Sequence, residues 1–223
     1  MNTENKLDYT TVLNEGFRYG MKNIPSLLGA LALWIVTILV PYVNVGTTIA
    51  ICTLPLLLSR GEVFSPLDIF DKKYYRYMGE YFLTFGLMLI GIVGAAVFCY
   101  IPGMVVAIAW SLAILLMLDK GLNAAESIRM SNRLTYGNKW TIFFVWATVG
   151  FACFIVWLIL TSLLAVISLA ATLNSSSGGG FNIVTGALSL IFQLALFVVF
   201  MAFSIGCQAS IYGTLSKNIG EQH

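Results

Sequence analysis

Histidine occurs once in this chain of 223 residues, at the terminal His223, and charged residues make up only 10% of it. One histidine does not supply the clustered His, Cys or carboxylate ligands that metal catalysis needs, nor a Ser/His/Asp arrangement. Cysteine is scarce as well. Cys52, Cys99, Cys153 and Cys207 each lie in an apolar run without metal-type spacing, and read as small buried hydrophobes. No ionisable residue stands between the ends of any long apolar run, which weighs against ion- or proton-coupled transport. With no strand pattern, no glycine loop follows a strand to cradle a phosphate. Acids such as Asp68 and Asp71 adjoin Lys72 and Lys73, the pattern of salt-paired surface carboxylates rather than of general acid/base chemistry. The expectation is therefore no enzymatic activity, no cofactor and no nucleic-acid partner. The shortage of charge also excludes a soluble domain, in which about 25% charged residues is usual.

What the chain has instead is apolar length. Hydrophobic residues make up 59% of it and the mean hydropathy is +0.88, so it reads as one integral membrane domain over 1–223. The first 23 residues mix Glu4, Asp8 and Glu15 with Lys6, Arg18 and Lys22. They hold no short apolar core before a small-residue cleavage site, so an uncleaved first helix is expected as the anchor. Apolar runs cover about 24–40 and 47–58, 81–100 and 104–118, and 140–172 and 183–212. The first two fall short of the ~20 residues of an average span and suggest a thin or tilted hairpin, while the fifth overshoots. All twelve bases lie between or outside the three hairpins, and the turns at 41–46, 101–103 and 173–182 carry no charge. The positive-inside rule then predicts six spans in the inner membrane with both termini cytoplasmic.

Each hairpin follows a polar segment. Residues 8–23 read as an amphipathic interfacial helix, with Leu13, Phe17 and Gly20 on one face and Asn14, Arg18 and Lys22 on the other. Ser65, Pro66 and Asp68 make a compact helix start. After it, Phe70, Tyr74 and Tyr77 recur at helical spacing opposite Asp68, Lys72 and Arg76. In the third segment, Asn123 and Glu126 supply a capping-box-like start. There Glu126, Arg129 and Arg133 share one sector, with Ala124, Ile128, Ser131 and Leu134 on the other side. The loop NSSSGGG at 174–180 is expected to be flexible. The predicted fold is thus all-α: a polytopic membrane bundle of six transmembrane helices in three hairpins, each preceded by a cytoplasmic interfacial amphipathic helix. RYGMKN at 18–23, RYMGEY at 76–81 and TYGNKW at 135–140 suggest an internal repeat, with units at about 8–64, 65–122 and 123–218.

The stretch LMLDKGLNAAESIRMSNRLTYGN at 116–138, together with SPLDIFDKKYYRYMGEYF at 65–82, resembles a group of uncharacterised bacterial six-helix membrane proteins. These are related to the membrane domain of membrane-anchored glycerophosphodiester phosphodiesterases. The resemblance covers most of the chain up to the fifth span and implies architecture. In the phosphodiesterases catalysis belongs to a separate soluble domain to which nothing here corresponds, so no catalytic residue carries over.

The candidate functional surface is the charged and aromatic collar. Glu126, Arg129, Arg133, Lys72, Lys73 and Arg76 are its candidate residues for binding a protein partner, a second copy of the chain or membrane lipids. Within the sixth span, Gln193 and Gln208, with Ser189 and Ser204 four residues before them, could line a polar seam or hydrogen-bond between helices. The expected role is a non-enzymatic scaffold or accessory subunit that docks a partner or organises lipids. The alternative is a passive conduit or a lipid-handling protein.

Overall fold

The computed structural model describes residues 6–62, 64–174 and 178–217. The helices are α1 (Tyr9–Lys22), α2 (Ile24–Thr37), α3 (Pro41–Ser59), α4 (Met78–Phe98), α5 (Tyr100–Ala109), α6 (Ala113–Lys120), α7 (Ala124–Thr135), α8 (Lys139–Asn174) and α9 (Gly178–Ser216), and no strand occurs among the described residues. Five stretches are long and apolar enough to cross a membrane, and α1 with α2, bent by 69° at Asn23, makes a sixth if taken as one broken span. The molecule is an all-α polytopic bundle. The loop expected at 174–180 is shorter than its composition suggests, because α8 runs to Asn174 and α9 opens at Gly178. Residues 175–177 and His223 lie outside the described residues.

Asp8 starts α1. Its carboxylate accepts from the Thr11 amide at 2.9 Å and from the hydroxyls of Thr10 and Thr11 at 2.6 Å each. Those bonds favour the charged form and hold the carboxyl down to about 2, from an ordinary 3.8. A depressed folded-state value means that the cap's contribution is complete above the ordinary value and is lost as pH falls through about 2. The difference in melting temperature between the protein and Asp8→Ala should therefore be constant above about pH 5 and vanish towards pH 2. An undiminished difference at pH 2 would contradict it.

Once started, α1 does not lie free at a surface. Its buried face is Val12, Gly16 and Gly20, laid along α9. A side chain at Gly20 would come within 2.7 Å of the Ala202 carbonyl oxygen, and one at Gly16 within 2.5 Å of Cys207 Sγ. The inward face is a glycine stripe that shares Gly20 with the predicted face; Leu13 is half-buried against the core, while Phe17 and Met21 stay exposed. Small residues win because they bring backbones together.

The first hairpin is short. With 14 residues, α2 extends about 21 Å, against a hydrocarbon core of ~30 Å. Thr37 bonds Thr47 at 2.9 Å and Trp34 Nε1 donates to Thr48 at 2.9 Å, closing the hairpin near its tip. The segment after α3 follows this hairpin to its end: Pro66 fills the space over Gly29, and the Tyr75 ring fills that over Gly46. Tyr75 also stacks on Tyr42 with centroids 5.1 Å apart. Residues 41–46, expected as a turn, form the first turns of α3, and they touch the polar segment 65–77, which charge alone assigns to the opposite membrane face.

That segment starts where predicted, with the Asp68 carboxylate accepting from the Ser65 amide at 2.9 Å. It is two 3-10 turns, Pro66–Phe70 and Lys72–Tyr77, rather than one amphipathic helix. Asp71 is extended, and its side chain takes the Lys73 amide at 3.0 Å, restarting the chain in mid-segment. Ile69 and Tyr74 turn inward.

The fourth span is interrupted between Ala109 and Ala113, and α7 is wedged against the gap. Ser131 Oγ donates to the Ala109 carbonyl at 2.7 Å and accepts from the Leu112 amide at 3.2 Å, and Thr135 Oγ1 donates to the same carbonyl at 3.2 Å. The backbone groups freed by the interruption find side-chain partners, as an apolar surrounding demands. Ser127, Ser131 and Thr135 are buried beside Ala124, so the inward face of α7 is close to the one predicted.

Candidate functional site: the polar collar

Three helix ends converge on Asp119. Gly61 and Gly121, with φ of +71° and +63°, turn the chain out of α3 and α6 in a conformation that favours glycine. Arg60 and Asp119 are thereby left at neighbouring ends, and they form an ion pair. The Asp119 side chain is 5% exposed, and it also takes the Tyr212 hydroxyl from α9 and Lys120 Nζ at 3.7 Å. Close by, Ser210 donates to Glu15 at 2.7 Å, tying α1 to the same end of α9. Asp119 is not among the residues that the sequence pattern singles out. Its partners are 59 and 93 residues away in sequence, so local pattern carries no sign of them.

The predicted collar residues separate into two groups. Lys73 is engaged: it pairs with Asp71 at 3.2 Å and lies 5.0 Å over the Tyr74 ring. The Lys73 amide and ammonium hold the Asp71 carboxyl below its ordinary value. Lys72, Arg76, Glu126, Arg129 and Arg133 are exposed, and among the described residues none of them makes an ion pair. The Glu126–Arg129 pair that helical spacing allows is not formed.

The intramembrane glutamines are not brought together. Gln208 donates to the Ser111 carbonyl at 3.3 Å, beside the interruption of the fourth span, while Ser204 Oγ is buried without a partner among the described residues. Gln193 reaches Ser189 at 3.4 Å and faces a cavity of about 350 Å³ between α8 and α9, lined by Cys153, Trp157 and Phe200 among others. Fifteen residues separate the glutamines, about 22 Å along the helix.

A second cavity, of about 260 Å³, opens where α1 meets α2 and is lined by Arg18, Tyr19, Lys22, Asn23, Leu58, Gly61 and Glu62. Sequence reasoning placed Arg18 and Lys22 on a polar face without finding this enclosure, since Glu62 and Leu58 come from the far end of α3. Among the described residues, no group of three His, Cys, Asp or Glu side chains is placed to hold a metal ion.

Fold and collar together define a helical membrane protein with a densely polar rim. No family model, no curated protein and no solved structure matches the chain.

Proposed function

We propose that the protein is a non-enzymatic inner-membrane scaffold, both termini cytoplasmic, which organises lipids or docks a protein partner through its collar. The observation that carries this proposal is the division of labour in α7. Its inward polar side chains are consumed in seating it, while Arg129 and Arg133 are exposed and engage no carboxylate among the described residues. An exposed pair of like charges adds little stability by itself, whereas guanidinium groups make charge-assisted, bidentate bonds to carboxylates and phosphates.

The double variant Arg129→Ala/Arg133→Ala should keep its thermal stability in detergent and lose most of its co-purifying partner or anionic lipid. Collapse of stability with association per folded molecule unchanged would make the pair structural. Orientation is checked with Arg129→Cys in a background lacking the four native cysteines, which should react with an impermeant thiol reagent only from the cytoplasmic side. The cavity at Gln193 favours a second reading, lipid handling. Lipid flux in liposomes, lost on Gln193→Leu, would support that one instead.

A further inference from the structure

The cavity at the α1–α2 elbow holds two cations and one carboxylate, and their chemistry is complementary to a ligand of both signs. Arg18 and Lys22 lie one turn apart on α1, and Glu62 follows the end of α3. Among the described residues none of the three forms an ion pair. Arg18 is steadied over the Tyr19 ring at 5.4 Å. Asn23, at the bend, donates its side-chain amide back to the Tyr19 carbonyl at 2.9 Å and makes no side-chain cap on α2.

Two features point to a lipid. Arg18 and Lys22 alternate along α1 with Phe17 and Met21, which are 59% and 48% exposed, so this end of the helix presents charge and apolar surface together, as at a membrane boundary. The volume, about 260 Å³, lies just below the ~300 Å³ at which small-molecule pockets begin, the scale of a headgroup rather than of a whole lipid.

We infer that this elbow binds the headgroup of an ethanolamine phospholipid, its phosphate on Arg18 and Lys22 and its ammonium on Glu62. The assignment rests on the lipid-organising half of the proposed function and names the lipid. The carboxylate decides the class. A glycerol headgroup offers Glu62 no cation, and the trimethylammonium of choline carries charge but donates no hydrogen bond, whereas a primary ammonium donates three.

The test titrates the full-length protein in detergent with dioctanoyl phosphatidylethanolamine, phosphatidylcholine and phosphatidylglycerol, and with free O-phosphoethanolamine, reading bound lipid by native mass spectrometry. The ethanolamine lipid should bind about tenfold tighter than the choline lipid, the scale of one charge-assisted hydrogen bond. Glu62→Gln should erase that preference by weakening the ethanolamine lipid more than the choline lipid, and Arg18→Gln/Lys22→Gln should weaken both lipids about tenfold or more. Each variant is confirmed as folded by its helicity and monodispersity. Equal binding of the ethanolamine and choline lipids by the unmodified protein would overturn the assignment, as would a preference for the glycerol lipid or a preference that survives Glu62→Gln. Free O-phosphoethanolamine binding as tightly as the lipid would move the site to a soluble ligand. Arg129→Ala/Arg133→Ala should keep the ethanolamine preference, so failure of the elbow and failure of the collar are told apart.

Discussion

Gly206→Ala will separate α1 from α9, although it adds a single methyl group. A Cβ at this position would stand 2.1 Å from the carbonyl oxygen of Gly16 and 3.0 Å from the amide nitrogen of Gly20. Both obstacles are backbone, so no side chain can rotate away and the helices themselves must part. Parting them loses more than the local contact. The edge-to-face pair of Phe17 and Phe203 at 6.2 Å, the Ser210–Glu15 bond at 2.7 Å and the Tyr9–Thr148 bond at 2.7 Å all depend on α1 lying where it does. Overpacking costs about 1–3 kcal/mol where side chains can adjust, and here the upper end is expected. At about 2–4 °C per kcal/mol for a chain of this size, the melting temperature should fall by about 6–12 °C. Limited proteolysis should then cut within residues 8–22, a segment the docked helix protects. A shift below about 1 °C with that segment still protected would show that α1 tolerates an offset and that the glycine stripe is not what seats it.

The same stripe shows why part of the fold was legible in sequence and part was not. Long apolar runs report composition, and composition alone suffices to pick out helices long and apolar enough to cross a membrane. The inward face of α7 was also readable, because Ala124 and Ser131 recur at helical spacing. For α1 the pattern pointed to Leu13, Phe17 and Gly20, of which Gly20 is buried, but it missed Val12 and Gly16, which complete the inward face. Surrounded by lipid, a large apolar side chain gains little by turning inward, and close backbone approach decides. Aromatic spacing over Phe70, Tyr74 and Tyr77 suggested one helix, but Asp71 spends its side chain on the Lys73 amide and divides the segment in two. The contact of Tyr42 with Tyr75 and the elbow cavity depend on how separate hairpins pack, which no local window contains.

Asp119 is the sharpest such case, and its replacement should have the second large effect. A carboxylate in the last turn of α6 faces the negative end of that helix and is disfavoured there unless partners outweigh the dipole. Arg60 and Tyr212 are those partners, one from α3 and one from α9, with Lys120 at 3.7 Å. Removing one member of a fully buried ion pair costs about 3–5 kcal/mol. Arg60, however, is 48% exposed and regains water once released, so the expected cost of Asp119→Ala is nearer 2 kcal/mol. Asp119→Asn should cost less, because its amide oxygen still accepts from Tyr212. A double-mutant cycle separates the pair from the general effect of substitution. If Arg60 and Asp119 act on each other, Arg60→Ala should cost at least about 0.5 kcal/mol less in the Asp119→Ala background than alone. Tyr212→Phe should show the same dependence, because its hydroxyl has no reason to be buried once the carboxylate is gone. Strict additivity in both cycles would mean that Asp119 supports α6 alone and that the three helix ends are held together by packing.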